Sequence, residues 1–169
     1  MDPRYPIGKF DPQQHLALED AVEQIAALPA QIREVVGQLS EAQMEARYRE
    51  GGWTARQVVH HLADSHINAY VRFRLALTED MPVIKPYKEA LWAELPDAVS
   101  GALEDSLRIL DGVHARWAAL LRATPRADLE RKFRHPERGD LTLASTLALY
   151  AWHGRHHLAH LRICAQGSA

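Results

Sequence analysis

Apolar residues recur along this chain at the three- and four-residue spacing of amphipathic helices, and no segment alternates long enough to predict a strand. The first stretch runs from about Gln13 to Leu39, with Leu16, Leu18, Val22, Ile25, Leu28, Ile32, Val35 and Val36 as its apolar positions. Pro29 falls inside it and is expected to bend or divide it, because proline lacks a backbone donor and clashes with the preceding turn. A short piece, SEAQMEARY, follows behind a Ser40 cap. Thr54 and Gln57 match a capping box, so a second long helix is expected from Thr54 to about Thr78. Pro82, Pro86 and Pro96 make residues 79–99 a long crossover with at most one short helical turn, around Tyr87–Trp92. A third helix covers about Val99 to Arg122. A loop containing His135-Pro136 and Gly139 then leads to Thr142, which caps a fourth helix that continues to about Gln166 and stops at Gly167.

Four long helices, one long crossover and no repeat or linker predict an all-α fold, a four-helix bundle occupying residues 1–169 as one domain. Periodicity does not say which helices are neighbours. A chain of 169 residues buries a core without staples, and a net charge of −2 gives no global pull toward nucleic acid or an anionic membrane. The absence of a long apolar run and of a signal-like start in MDPRYPIGKF leads to the expectation of a cytoplasmic protein without a membrane partner. The lone Cys164 excludes an internal disulfide and fits a reducing compartment.

Histidine changes the picture. Of ten, four fall within eight residues: His153, His156, His157 and His160. At about 100° per residue they share one stripe of the fourth helix roughly 100° wide, the breadth normally given to a buried face. Each buried imidazole must find partners for its ring nitrogens. On the second helix, Thr54, Gln57, Asp64, Ser65, Asn68 and Arg72 lie within about 60° of His61, opposite Val59, Leu62, Ala63, Tyr70 and Phe73. That polar stripe faces either water or a polar pocket walled by the fourth helix; the pattern does not choose. Three neutral imidazoles form a common first shell for catalytic zinc, leaving a position for water or substrate. Two overlapping His-x-x-x-His pairs, His153/His157 and His156/His160, leave the register open, and hydrogen-bonded core histidines are the plainer alternative.

The runs YPIGKF, GGWTARQVVHHLADSHINAYVRFRLALTED, IKPY and YAWHGRHHLAH resemble the DinB/YfiT family, specifically its YfiT branch, in order over nearly the whole chain. The resemblance implies an up-down-down-up bundle that holds one divalent metal per chain, zinc or nickel, and in many members forms a homodimer. Its first ligand, in an H-L-A-D segment, corresponds to His61; its H-x-x-x-H pair corresponds to His153 and His157. His160 then falls where many relatives carry glutamine and His156 is additional, so these two stand as alternates.

The resemblance further implies a metal-dependent hydrolase that activates water against a small molecule. One alternative is a thiol S-transferase that activates a low-molecular-weight thiol. The other is a metal-binding helical module without turnover. In either enzyme reading the ion supplies the nucleophile, as bound water or thiol, since no G-x-S-x-G elbow occurs and nothing marks Cys164 as a catalytic thiolate. Asp64 is a candidate second-shell group or base, with a solvated carboxylate as the alternative. Asn68 and Arg72 are candidate substrate contacts, Arg72 above all because its fork suits carboxylate or phosphate. His60 should point away from His61, His66 should be a packed histidine, and His15, His114 and His135 show no clustered partner. Cys164 reads as a small buried residue, and Trp53, Trp92, Trp117 and Trp152 read as core, with pocket lining as the other option.

Overall fold

The capping residues read from the sequence hold in the computed structural model, which describes residues 2–13 and 16–167. Its helices are α1 (Leu18–Val36), α2 (Glu41–Met44), α3 (Ala55–Thr78), α4 (Glu89–Trp92), α5 (Pro96–Ser100), α6 (Leu103–Ala123) and α7 (Leu143–Gln166). Ser40 with Gln43 and Thr54 with Gln57 form reciprocal capping boxes at the starts of α2 and α3. The Thr142 hydroxyl accepts from the Ser145 amide at the start of α7, and Gly167 ends that helix at φ 75°, a conformation that favours glycine. None of the described helices is long and apolar enough to cross a membrane.

Two expectations about α1 need correction. It starts at Leu18 rather than near Gln13, because the Gln13 amide is held by the Asp11 carboxylate in a turn and Ala17 offers no capping side chain. Nor does Pro29 divide it; one helix runs through. A proline removes the N–H that would reach the carbonyl four residues back, here that of Ile25. That carbonyl is met instead by Nδ1 of the buried His114 at 2.5 Å.

Contacts along the helices give their directions. Glu23, Ile25 and Arg33 of α1 meet Arg122, His114 and Glu104 of α6, so these two are antiparallel. His60, His66 and Phe73 of α3 meet Ser106, His114 and Trp117 of α6, so α3 and α6 run parallel. His61 and His66 of α3 meet His157 and Tyr150 of α7, an antiparallel pair. With α1 also packed on α7, the order is up-down-down-up, as expected. α1 and α7 approach closely where Gly154 faces Leu28; a Cβ on Gly154 would lie 2.5 Å from a Leu28 methyl.

The core lies in two apolar clusters. One gathers Ile25, Phe73, Trp117, Leu147 and Tyr150; the other gathers Leu28, Ile32, Val58, Leu62, Leu110 and Leu161. On α3, α6 and α7, the positions between these clusters include His66, His114, His153 and His157. The loop expected before α7 is in fact an antiparallel hairpin, β1 (Lys132–His135) with β2 (Gly139–Thr142). Its inward residues are only Phe133 and His135, too few for alternation to register in the sequence. The crossover adds to it through Ile84 N to Arg134 O at 3.0 Å and Arg134 N to Pro82 O at 2.9 Å. Of the four tryptophans, only Trp117 is fully buried in the core.

Candidate metal centre

The N-terminal third of α3 faces the middle of α7, and three histidines meet there. Nε2 of His61 and Nε2 of His153 are 3.3 Å apart. One ring nitrogen from each of His61, His153 and His157 falls within 4.8 Å of the others. Zinc–imidazole bonds of about 2.0–2.1 Å at a tetrahedral angle place ligand nitrogens about 3.3–3.4 Å apart. The separation of His61 and His153 is that of two ligands sharing an ion, and the donor set is the neutral nitrogen type that zinc and nickel accept. Burial lowers the pKa of His61 to about 4, with His156 adding to the shift, and holds His153 and His157 well below the ordinary histidine value. All three are therefore neutral at pH 7, the form a ligand needs.

These imidazoles stand at the floor of a cavity of about 470 Å³. Trp53, which packs at 4.6 Å from the His61 ring, Trp152, Tyr150 and Tyr87 supply aromatic walls. Arg72 and His135 lie on the hairpin side, with Glu137 and Arg138 at the exposed rim. Tyr87 comes from the crossover; burial raises its pKa, opposed by a hydrogen bond with Ser65, so the phenol keeps its proton. A larger hollow of about 660 Å³ on the other side of α7 is lined by charged residues of α1 and α7 and contains no grouped imidazoles.

The other candidates divide. Arg72 lines the cavity; Asn68 does not, and its amide donates to the Asp64 carbonyl one turn back. The Asp64 side chain also lies outside the cavity lining, half-buried, with its carboxyl raised to about 6 by burial and then by Asp97. His156 and His160 form with His157 a second group with nitrogens within 4.8 Å. His156 stacks on Trp152 at 4.5 Å, and its buried Nδ1 has no hydrogen-bond partner. His160 stacks on Tyr48 at 3.8 Å and bonds to both the His157 ring and the Pro3 carbonyl. Cys164 is buried, its thiol pushed up to about 11 and directed at the Ala46 carbonyl rather than at the cavity.

His60 turns to α6, where Nδ1 meets Ser106 Oγ at 2.7 Å. His66 is packed, as its helical position implied, yet it also bonds to His153 at 3.1 Å and to His114 at 2.9 Å. His114 and His135, expected to stand apart, are respectively part of that buried line and part of the cavity wall. Both come from elements whose place beside α3 and α7 no spacing reveals. His15 lies outside the described residues.

Fold and site together define a class: up-down-down-up helical bundles with three histidines grouped so that they could hold a metal ion. A profile of the DinB superfamily matches residues 6–161, and the chain belongs to that family. A Bacillus cereus protein named "Putative metal-dependent hydrolase" is 48% identical over 163 residues, covering 95% of this chain and 94% of its own. An Oceanobacillus iheyensis relative of the same designation is 46% identical over 164 residues, covering 95% of both chains. Among solved structures, YfiT from Bacillus subtilis, described as a probable metal-dependent hydrolase with an unusual four-helix bundle topology, superposes with a TM-score of 0.93. It is 40% identical, covering 98% of this chain and 97% of its own. TT2238, a four-helix bundle protein at 22% identity, superposes with a TM-score of 0.62 over 86% of this chain and 98% of its own, a likeness of fold alone.

Proposed function

We propose that this protein is a metal-dependent hydrolase of a small molecule, with one divalent ion, zinc or nickel, held by His61, His153 and His157. The observation that carries the reading is the meeting of their ring nitrogens, 3.3 Å apart for His61 and His153, at the floor of a 470 Å³ cavity. When bound, such an ion acts as a Lewis acid and makes water nucleophilic near neutral pH. The chain's own residues do the rest. Arg72, with Arg138 at the rim, offers guanidinium forks to an acidic group on the substrate. Trp53, Trp152 and Tyr87 supply apolar surface beside the histidines, which strengthens electrostatic contacts there. The names of the relatives support the hydrolytic reading.

Protein purified without chelator is expected to carry about one divalent ion per chain by elemental analysis. His61→Ala, His153→Ala and His157→Ala should each lose it, and His156→Ala should keep it. Ester, amide and phosphoester panels should show hydrolysis that chelation abolishes and zinc or nickel restores, while Cys164→Ser leaves most of the rate. Turnover indifferent to chelator rejects the proposal. Turnover that appears only on adding a low-molecular-weight thiol moves the reading to thiol transfer, and metal binding without turnover moves it to a non-catalytic module.

A further inference from the structure

A line of three imidazoles runs from the candidate centre into the core. Nδ1 of His153 lies 3.1 Å from Nε2 of His66, Nδ1 of His66 lies 2.9 Å from Nε2 of His114, and Nδ1 of His114 lies 2.5 Å from the Ile25 carbonyl oxygen. A carbonyl can only accept, so His114 must carry its proton on Nδ1. Its Nε2 is then bare, so His66 must donate from Nδ1. The Nε2 of His66 is bare in turn, so His153 must donate from its own Nδ1. Three contacts consume one proton each, and three neutral rings supply one each. The remaining nitrogen, Nε2 of His153, is left with a free lone pair facing Nε2 of His61. Reversing the two ring-to-ring contacts would take up one further proton, loading Nε2 of His153 and leaving a cation on His114, which is 1% exposed. An unpaired buried charge is far too costly for that arrangement to compete.

The same construction recurs on His157. The Pro3 carbonyl accepts from Nε2 of His160 at 3.0 Å, which leaves Nδ1 of His160 bare. The Nδ1 of His157, 3.3 Å away, must then donate to it, and Nε2 of His157 is left unprotonated. Both lines end on a backbone carbonyl, which cannot take up a proton, so neither serves as a conduit.

We propose that His66, backed by His114, and His160 are positioning residues that fix the ring tautomers of His153 and His157, presenting bare Nε2 lone pairs to the cation. The assignment rests on the metal reading above. Outer partners of ligand imidazoles commonly change metal affinity by roughly 10–100-fold when removed. The test therefore pairs a measurement on the metal-free protein with one on zinc uptake. Two-bond proton–nitrogen NMR correlations on ¹⁵N-histidine-labelled apoprotein should show His153, His157, His66 and His114 protonated on Nδ1, and His160 on Nε2. Competition with a chromogenic chelator should show zinc bound roughly 10–100-fold more weakly by His66→Leu. The His66→Gln variant, whose amide can both donate to His114 and accept from His153, should recover most of the affinity. The His60→Leu variant, which removes a buried imidazole outside both lines, should bind zinc like the unaltered chain. Should His66→Leu fail to fold, the comparison of His160→Leu with His160→Gln asks the same question at the other line. Apoprotein with His153 or His157 protonated on Nε2 overturns the tautomer assignment whether or not zinc binds. Predicted tautomers in a protein that takes up no zinc overturn the metal reading and, with it, the purpose given to these residues. Leucine and glutamine variants weakened equally would reduce His66 to packing.

Discussion

Asp64 shows how a residue can sit on the right helical face and still do something else. It follows His61 by three residues, which turns it about 60° around α3. That rotation is enough to take the carboxylate out of the cavity lining. Burial and the nearby Asp97 raise its pKa from 3.8 to about 6. Between these values the folded chain retains a proton that the unfolded chain has released, so stability falls as pH rises through that window and stays lower above it. Asp64→Asn should therefore stabilise the protein at pH 7, by on the order of 1 kcal/mol after allowance for solvent screening, with the gain vanishing below about pH 4. Urea titrations at pH 3.5 and pH 7 measure the gap at each end, and an equal gap at both would show that ionisation of Asp64 is not its source. Asp64 also marks the limit of reading single residues from sequence. The facing of His61 by His153 and His157 was legible once helix periodicity was joined to family resemblance. The places of His66, His114 and His160 as ring-to-ring partners were not, because they depend on which helices touch.

At the scale of elements, sequence reading did best where chemistry is local. Thr54 with Gln57, Ser40 with Gln43, and Thr142 followed much later by Gly167 mark helix ends through contacts within a few residues, and α2, α3 and α7 begin where those marks fall. It failed where a distant group intervenes. Pro29 reads as a break until His114 is seen to satisfy the carbonyl that proline leaves open. The hairpin stays hidden because only Phe133 and His135 turn inward, and its further pairing with residues 82–84 is tertiary. The close approach of α1 to α7 belongs to the same hidden class and gives a prediction. Gly154→Ala would drive its Cβ into Leu28, a side chain 2% exposed with little room to yield, so a loss of roughly 1–3 kcal/mol is expected. Leu28→Ala alone should lose roughly 2–5 kcal/mol. The double variant should lose less than the sum, since each change relieves part of the other. Strict additivity in denaturant titrations would mean the two positions do not press on one another.

For the whole molecule, periodicity led to an all-α bundle, and the up-down-down-up order came from resemblance rather than from any residue pattern. The homodimer is likewise inferred from resemblance. Multi-angle light scattering at micromolar concentration should give a mass near twice the 19.1 kDa of one chain, and a mass of one chain would reject it. The parallel run of α3 and α6 carries a different kind of consequence. After Thr78 the chain must travel back along the full length of α3 before α6 can begin at Leu103. A helix of 24 residues is about 36 Å long, a distance that about ten or eleven extended residues cover. Residues 79–102 provide roughly twice that, and the excess carries α4, α5 and the Tyr87 that closes over the histidines. Topology thus obliges every descendant of this bundle to keep a return segment alongside α3, here one that lines the cavity with Pro86, Tyr87 and Glu89, yet sets little of its length or wording. Heritable change in what the cavity admits can accumulate there while the helices that carry the grouped histidines are inherited intact.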